Sequence, residues 1–147
     1  MTNPLAPPLE YRASQWWTGD SRHLELTVVL KVMPYVRQTR NTRWREGHPS
    51  GERARAYNEV RGALRDALAG ILLAEGIAPF GKVRLGMASS FWVKHPATSD
   101  LGNYEKALED AGNGGVLYPD DKYIYQRGAG GKYRAEPEHF SLHLWEL

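Results

Sequence analysis

ERARAYNEVRGALRDALAGILLAEGIAPFGKVRLGMASSFWVK, residues Glu52–Lys94, changes its hydrophobic period partway, and that change decides the fold class. In its first half Tyr57, Val60, Leu64, Leu68, Ile71 and Leu72 recur at helical spacing. The spacing predicts a helix over Glu52–Glu75, with Ser50 as N-cap and Gly76 as C-cap. Gly62 and Gly70 weaken that helix. Ile77–Gly81 reads as a turn, and Lys82–Lys94 as one long strand that bends or bulges at Gly86. Upstream, His23–Val32 is rich in β-branched residues and reads as a strand ended by Pro34. Val36–Gly51 reads as a long loop. Met1–Ser21 is proline-rich and reads as an irregular arm, packed through Trp16 and Trp17. Downstream come a loop at His95–Ser99, a short helix at Asn103–Ala111 closed by Gly112, and a turn at Asn113-Gly114-Gly115. A short extended piece at Val116–Tyr118 follows. Tyr123–Arg127 and His139–Leu147 read as closing strands, joined by the flexible loop GAGGKYRAEPE. The sum is an α+β chain: an arm over residues 1–21, then a single small domain over 22–147 with a mixed sheet of four to five strands packed against two helices.

With 147 residues, 41% of them hydrophobic, the chain can bury one real core but not two. It has no cysteine, which excludes disulfides, zinc-thiolate sites and thiol nucleophiles, and fits a reducing cytoplasm. No signal peptide or membrane span is expected, because MTNPLAPPLEYR has neither a basic start nor an apolar run. The net charge is only +2, so affinity for a polyanion must come from uneven charge. The charge is uneven. Arg37, Arg40, Arg43 and Arg45 crowd VRQTRNTRWR with little acid to pair with, which favours phosphate contact. Trp44 among them reads as a packing residue. The arginines of the following helix read equally well as a solvated face with pairs such as Arg55–Glu59.

The second half holds the opposite feature. SDLGNYEKALEDAGNGGVLYPDDKYI, residues Ser99–Ile124, gathers Asp100, Glu105, Glu109, Asp110, Asp120 and Asp121 around one lysine, Lys106. Clustered carboxylates repel one another, and oxygen donors suit a hard cation such as Mg²⁺. On a helix, Asn103, Lys106, Ala107 and Asp110 share one face. Tyr104, Leu108 and Ala111 form a core stripe, and Glu105 and Glu109 lie on a third side. Asp100 arrives from just before the helix, and Asp120 and Asp121 from the turn after it. Each residue also has an ordinary reading: Asp100 as an N-cap, Lys106–Asp110 as a surface pair, Asp120-Asp121 as turn chemistry after Pro119. The five histidines lack ligand spacing, and GAGGK lacks the spacing of a phosphate-cradling loop.

The segments DLGNYEKALED and GVLYPDDKYI resemble the RusA family of Holliday junction resolvases. That family carries an Asp-x-Asp-Asn motif, then a lysine, an aspartate and an Asp-Asp pair. Asp100, Asn103, Lys106, Asp110, Asp120 and Asp121 fall on the matching positions. The resemblance implies a homodimeric, bacterial or phage-encoded endonuclease that acts on branched DNA. It implies a Mg²⁺ or Mn²⁺ cofactor, with Asp100, Asp110, Asp120, Asp121 and Glu109 as the metal-binding set. Asp100, Lys106 and Asp121 become the catalytic residues. Asn103 and Lys132 join the arginines at 37, 40, 43 and 45 as nucleic-acid contacts. Gly102 stands where the family has its second acidic residue, so either Asp110 or Glu109 must stand in, the metal must bind with more water, or catalysis must be impaired.

Overall fold

The computed structural model describes residues 9–35 and 49–147. Along the chain run β1 (Tyr11–Thr18), β2 (Ser21–Val28), α1 (Pro49–Glu75), β3 (Leu85–Val93), α2 (Leu101–Gly112), β4 (Ile124–Arg127), β5 (Lys132–Arg134) and β6 (His139–Glu146). The fold is α+β, with a mixed sheet in the order β1-β2-β6-β3-β4, and β5 also paired to β3. The pairs β1–β2, β2–β6 and β6–β3 are antiparallel, whereas β4 and β5 run parallel to β3 and follow one another along its far edge. Among the described residues no helix is long and apolar enough to cross a membrane.

The sheet has six strands rather than four or five, and both extra strands lie in segments expected to be irregular. Tyr11–Thr18 is not an arm but one half of a hairpin. Thr18 pairs with Ser21 across a two-residue Gly19-Asp20 turn, and Gly19 takes the φ of +62° that such a turn needs at its first central position. Trp16 stacks on His23, while Trp17 points outward and is exposed. β5 lies inside the GAGGKYRAEPE loop, where Lys132, Tyr133 and Arg134 pair with Phe91, Trp92 and Val93. Val116–Tyr118 is a turn rather than an extended piece. Glycines at φ +73° and +90° (Gly114 and Gly115) reverse the chain there and fold Leu117 and Tyr118 into the core.

Alternation along the central strands explains the core. Leu24, Leu26 and Val28 of β2, Phe140, Leu142 and Leu144 of β6, and Met87, Phe91 and Val93 of β3 are buried on one face of the sheet. They meet Tyr57, Leu64, Leu68 and Ile71 of α1 and Tyr104, Leu108 and Ala111 of α2. α1 starts at Pro49, a residue suited to the first helical position, so Ser50 lies inside the helix rather than capping it. Its other end is as expected. Gly76 has φ +65°, its N–H donates to Leu73, and Ile77 N–H donates to Leu72 O at 2.9 Å, closing a Schellman turn over the buried Leu72 and Ile77 side chains. Gly86 marks a register shift against β4, and a Cβ there would stand 2.1 Å from the Trp145 ring.

Candidate functional site

α2 presents its buried stripe of Tyr104, Ala107, Leu108 and Ala111 to the core, and this fixes where its charged residues point. Lys106 and Asp110, one turn apart, face α1. The Lys106 ammonium lies 2.8 Å from Asp110 Oδ1 and 3.8 Å from Asp121 Oδ2. Tyr57 of α1 donates its hydroxyl to Asp110 Oδ2 at 3.4 Å, and burial with the Asp110 charge beside it raises the Tyr57 pKa. The hydrogen bond to Asp110 raises the Lys106 pKa against the opposing effect of burial. The charges of Asp110, Asp121 and Glu109 push the same way, so the ammonium stays charged.

Asp121 opens the short 3-10 turn Asp121–Tyr123 that leads into β4. Asp120 caps this turn, accepting the Lys122 N–H at 3.0 Å, and that bond lowers its pKa. The capping leaves Asp121 at the front of the turn, toward Lys106. Glu109 goes the other way. It is 4% exposed and pairs with Arg127 of β4, which also lies 3.5 Å from Glu105. Burial raises the Glu109 pKa, Arg127 opposes the rise, and the charge of Asp121 adds to it. Asp110, rather than Glu109, thus shares the Lys106 side of the helix.

Asp100 sits at the N-cap position of α2 with extended backbone, yet its side chain makes no capping hydrogen bond and is exposed to solvent. The loop before it is held from behind. Lys132 Nζ donates to Pro96 O and Ser99 O, each at 2.6 Å, and Asn103 Nδ2 donates to Ser99 Oγ at 3.1 Å. Lys132 and Asn103, expected as nucleic-acid contacts, are therefore both engaged in shaping the turn that carries Asp100. Arg37, Arg40, Arg43, Arg45 and Trp44 lie outside the described residues.

The structure thus brings Lys106, Asp110 and Asp121 together, with Glu109 behind them. Among the described residues no contact joins Asp100 or Asp120 to Lys106, and no group of three or more His, Asp or Glu side chains is spaced to hold a metal ion. The donors are nonetheless all carboxylate oxygens, the set a hard divalent cation takes, and Asp110 and the more exposed Asp121 converge on the Lys106 ammonium. Gly102 is exposed, with nothing within 4 Å of an added Cβ.

Sequence reasoning missed the supports. Arg65 of α1 reaches over the end of α2, and its Nη1 donates to Asp110 O, Ala111 O and Asn113 O at 3.3, 3.5 and 2.9 Å. Tyr118 donates its hydroxyl to Glu109 O at 2.8 Å and lies against Gly112, where a Cβ would stand 2.8 Å from the Tyr118 hydroxyl oxygen. Gly112 is therefore the last, buried residue of α2 rather than a residue beyond its end, and close packing leaves no room there for a side chain. Nothing in the local pattern marks Arg65 or Arg127, because their partners lie 45 or more and 18 or more residues away in sequence. Scanned against models of known protein families, the chain matches none, and no curated protein matches it.

Proposed function

We propose that this chain is a divalent-metal-dependent, structure-specific endonuclease of the RusA type that resolves four-way DNA junctions by paired, symmetric phosphodiester hydrolysis. The observation that carries the reading is Lys106 held between Asp110 and Asp121 at an open surface, with an uncapped Asp100 at the start of the same helix. Ordinary structural duty accounts for Asp120, which caps a turn, but it does not account for Asp100. In this reading Asp100, Asp110 and Asp121 hold the cation, and Asp120 fixes the turn that aims Asp121. When bound, Mg²⁺ or Mn²⁺ supplies Lewis-acid polarisation of a phosphoryl oxygen and an activated water. Lys106, kept charged by its acidic neighbours, offsets the negative charge that grows on the phosphate. The arginines at 37, 40, 43 and 45 bind backbone phosphates, which positions the junction without reading its sequence. Two copies related by a two-fold axis match the approximate symmetry of a four-way junction.

The test is cleavage of a labelled mobile four-way junction beside linear duplex, with Mg²⁺ or Mn²⁺, by wild type and Asp121→Asn. Paired nicks from wild type alone are expected, and absence of both nicking and junction binding refutes the reading. A second reading is a branched-DNA binding protein without catalysis. It is favoured by Gly102 together with the commitment of Glu109 to Arg127, which removes one stand-in for the missing acid. Gly102→Asp separates the two readings, since the site has room for the side chain. Activity gained from none supports the silent binder, and a modest change in existing activity supports the enzyme.

A further inference from the structure

β1 ends the sheet: it pairs with β2 on one side and, among the described residues, with nothing on the other. Which backbone groups face that edge follows from the ladder. Glu10 O accepts the Val29 N–H at 2.9 Å, one step beyond the Tyr11–Val28 pair, and Thr18 and Ser21 close a two-residue hairpin. Both place the even-numbered residues of β1 in the hydrogen-bonded pairs with β2. Tyr11, Ala13, Gln15 and Trp17 therefore aim four N–H and four C=O groups away from the sheet, and these groups make no hydrogen bond among the described residues. Proteins usually blunt such an edge with lysine, proline, a bulge or a covering segment. YRASQWWT has neither lysine nor proline, and its eight residues run in unbroken register against β2. Its one charge, Arg12, enters no ion pair among the described residues, and Trp17 is 58% exposed.

We infer that β1 pairs antiparallel with β1 of a second copy of this chain, in the register that sets Ser14 opposite Ser14. A two-fold axis normal to the sheet keeps corresponding faces on the same side, so even-numbered residues meet even-numbered ones and the axis passes through one residue pair. With the axis at Ser14, Tyr11 comes opposite Trp17 and Ala13 opposite Gln15, each twice. Every outward N–H and C=O of residues 11, 13, 15 and 17 then has a partner. Centred on Ala13 or Gln15 instead, the pairing leaves Trp17 or Tyr11 beyond the end of the other strand. The side chains agree with the backbone. Arg12 comes opposite Trp16 of the second copy. One face of that indole rests on His23 and His143, which leaves the other for a guanidinium. On the helix side of the sheet, the exposed Trp17 comes against Tyr11, an aromatic cross-strand pair. An unrelated extended peptide would satisfy the backbone alone, whereas these doubled matches arise because the strand meets itself. Pairing of this kind needs neither metal nor DNA. Under the nuclease reading it supplies the edge that joins the two copies.

The test follows the full-length chain, without DNA or metal, by sedimentation velocity from about 1 to 100 μM. A dimer is expected. Ala13→Pro removes an outward N–H without touching the ladder to β2, and is expected to weaken the dimer at least about tenfold. Because the chain has no cysteine, a single introduced thiol reports the register. In Ser14→Cys the two thiols meet across the axis with Cα atoms about 4.5 Å apart, within disulfide range, so mild oxidation is expected to give a covalent dimer. In Thr18→Cys they stand about 25 Å apart, and no cross-link is expected. Ser14→Cys decides alone if Ala13→Pro fails to fold. The inference is overturned if the wild type stays monomeric throughout that range, if a folded Ala13→Pro dimerises like the wild type, or if Ser14→Cys cross-links no faster than Thr18→Cys. A dimer that fails both variant tests is joined through another surface. A dimer paired in this way that never nicks a junction refutes only the proposed function, and a monomer that nicks refutes this pairing.

Discussion

Asp121 and Glu109 show how a helix and the turn after it can sort like-charged residues into different environments. Both feel the same neighbourhood, yet Asp121 stays open beside Lys106 while Glu109 is buried against Arg127. Under the proposed function, Asp121→Asn abolishes nicking while junction binding survives, as read by gel shift beside the cleavage assay. Full activity in that variant removes Asp121 from the catalytic set. Arg127→Ala acts through stability instead, because it leaves the Glu109 carboxylate buried without its cation. The expected loss is about 2–3 kcal/mol, below that of a fully buried pair because Arg127 is half exposed. Chemical denaturation measures it, and an unchanged midpoint refutes it. His143 makes a pH prediction. Burial, and then the neighbouring His23, lower its pKa, while Glu25 opposes them. Just below the ordinary imidazole pKa of 6.5, the unfolded chain takes up a proton that the folded chain refuses, so stability rises with pH through that interval and levels off above it. Thermal melts between pH 5 and 7 are expected to show the rise in wild type and a flatter profile in His143→Gln.

At the scale of elements, α2 depends on supports that come from elsewhere in the chain. Its C-terminal carbonyls are satisfied by Arg65, and its N-terminal approach is tied to β5 by Lys132. Arg65→Ala removes a charged donor from a helix end and is expected to cost about 2 kcal/mol, visible as a lowered denaturation midpoint. Here the limits of sequence reading are also clearest. α1, β2, β3 and β6 were legible because their apolar residues repeat at one period along each element. The pairing of Lys106 with Asp110 was legible because its partners are one helical turn apart. β1 was not, since YRASQWWT buries no residue fully and its strand character comes from pairing with β2. β5 was not, since its short run of residues, flanked by glycines and proline, is defined only by the edge of β3. Asp100 illustrates the same divide within the site: its position was legible, but whether its carboxylate caps the helix is a matter of geometry.

For the whole molecule, a net charge of +2 leaves little general attraction for DNA, so affinity must come from clustered contacts. If the arginines at 37, 40, 43 and 45 act on phosphates in both copies of a dimer, junction affinity should fall by about 10⁴-fold between 50 and 200 mM salt. A flat salt profile removes phosphate contact as the source of binding. The sheet adds a constraint of another kind. β3 carries β4 and then β5 on one edge, and only residues 128–131 lie between them. Asp121 hangs from the start of β4, and the loop carrying Asp100 hangs from Lys132 at the start of β5. A Cβ at Gly130 would stand 1.8 Å from Ser89 O, so the connecting segment is pressed flat against β3 with no slack to take up. β3 therefore works as a ruler: the spacing between two distant carboxylates is counted out in strand residues, and one residue inserted between Gly128 and Gly131 would reset it without touching either acid.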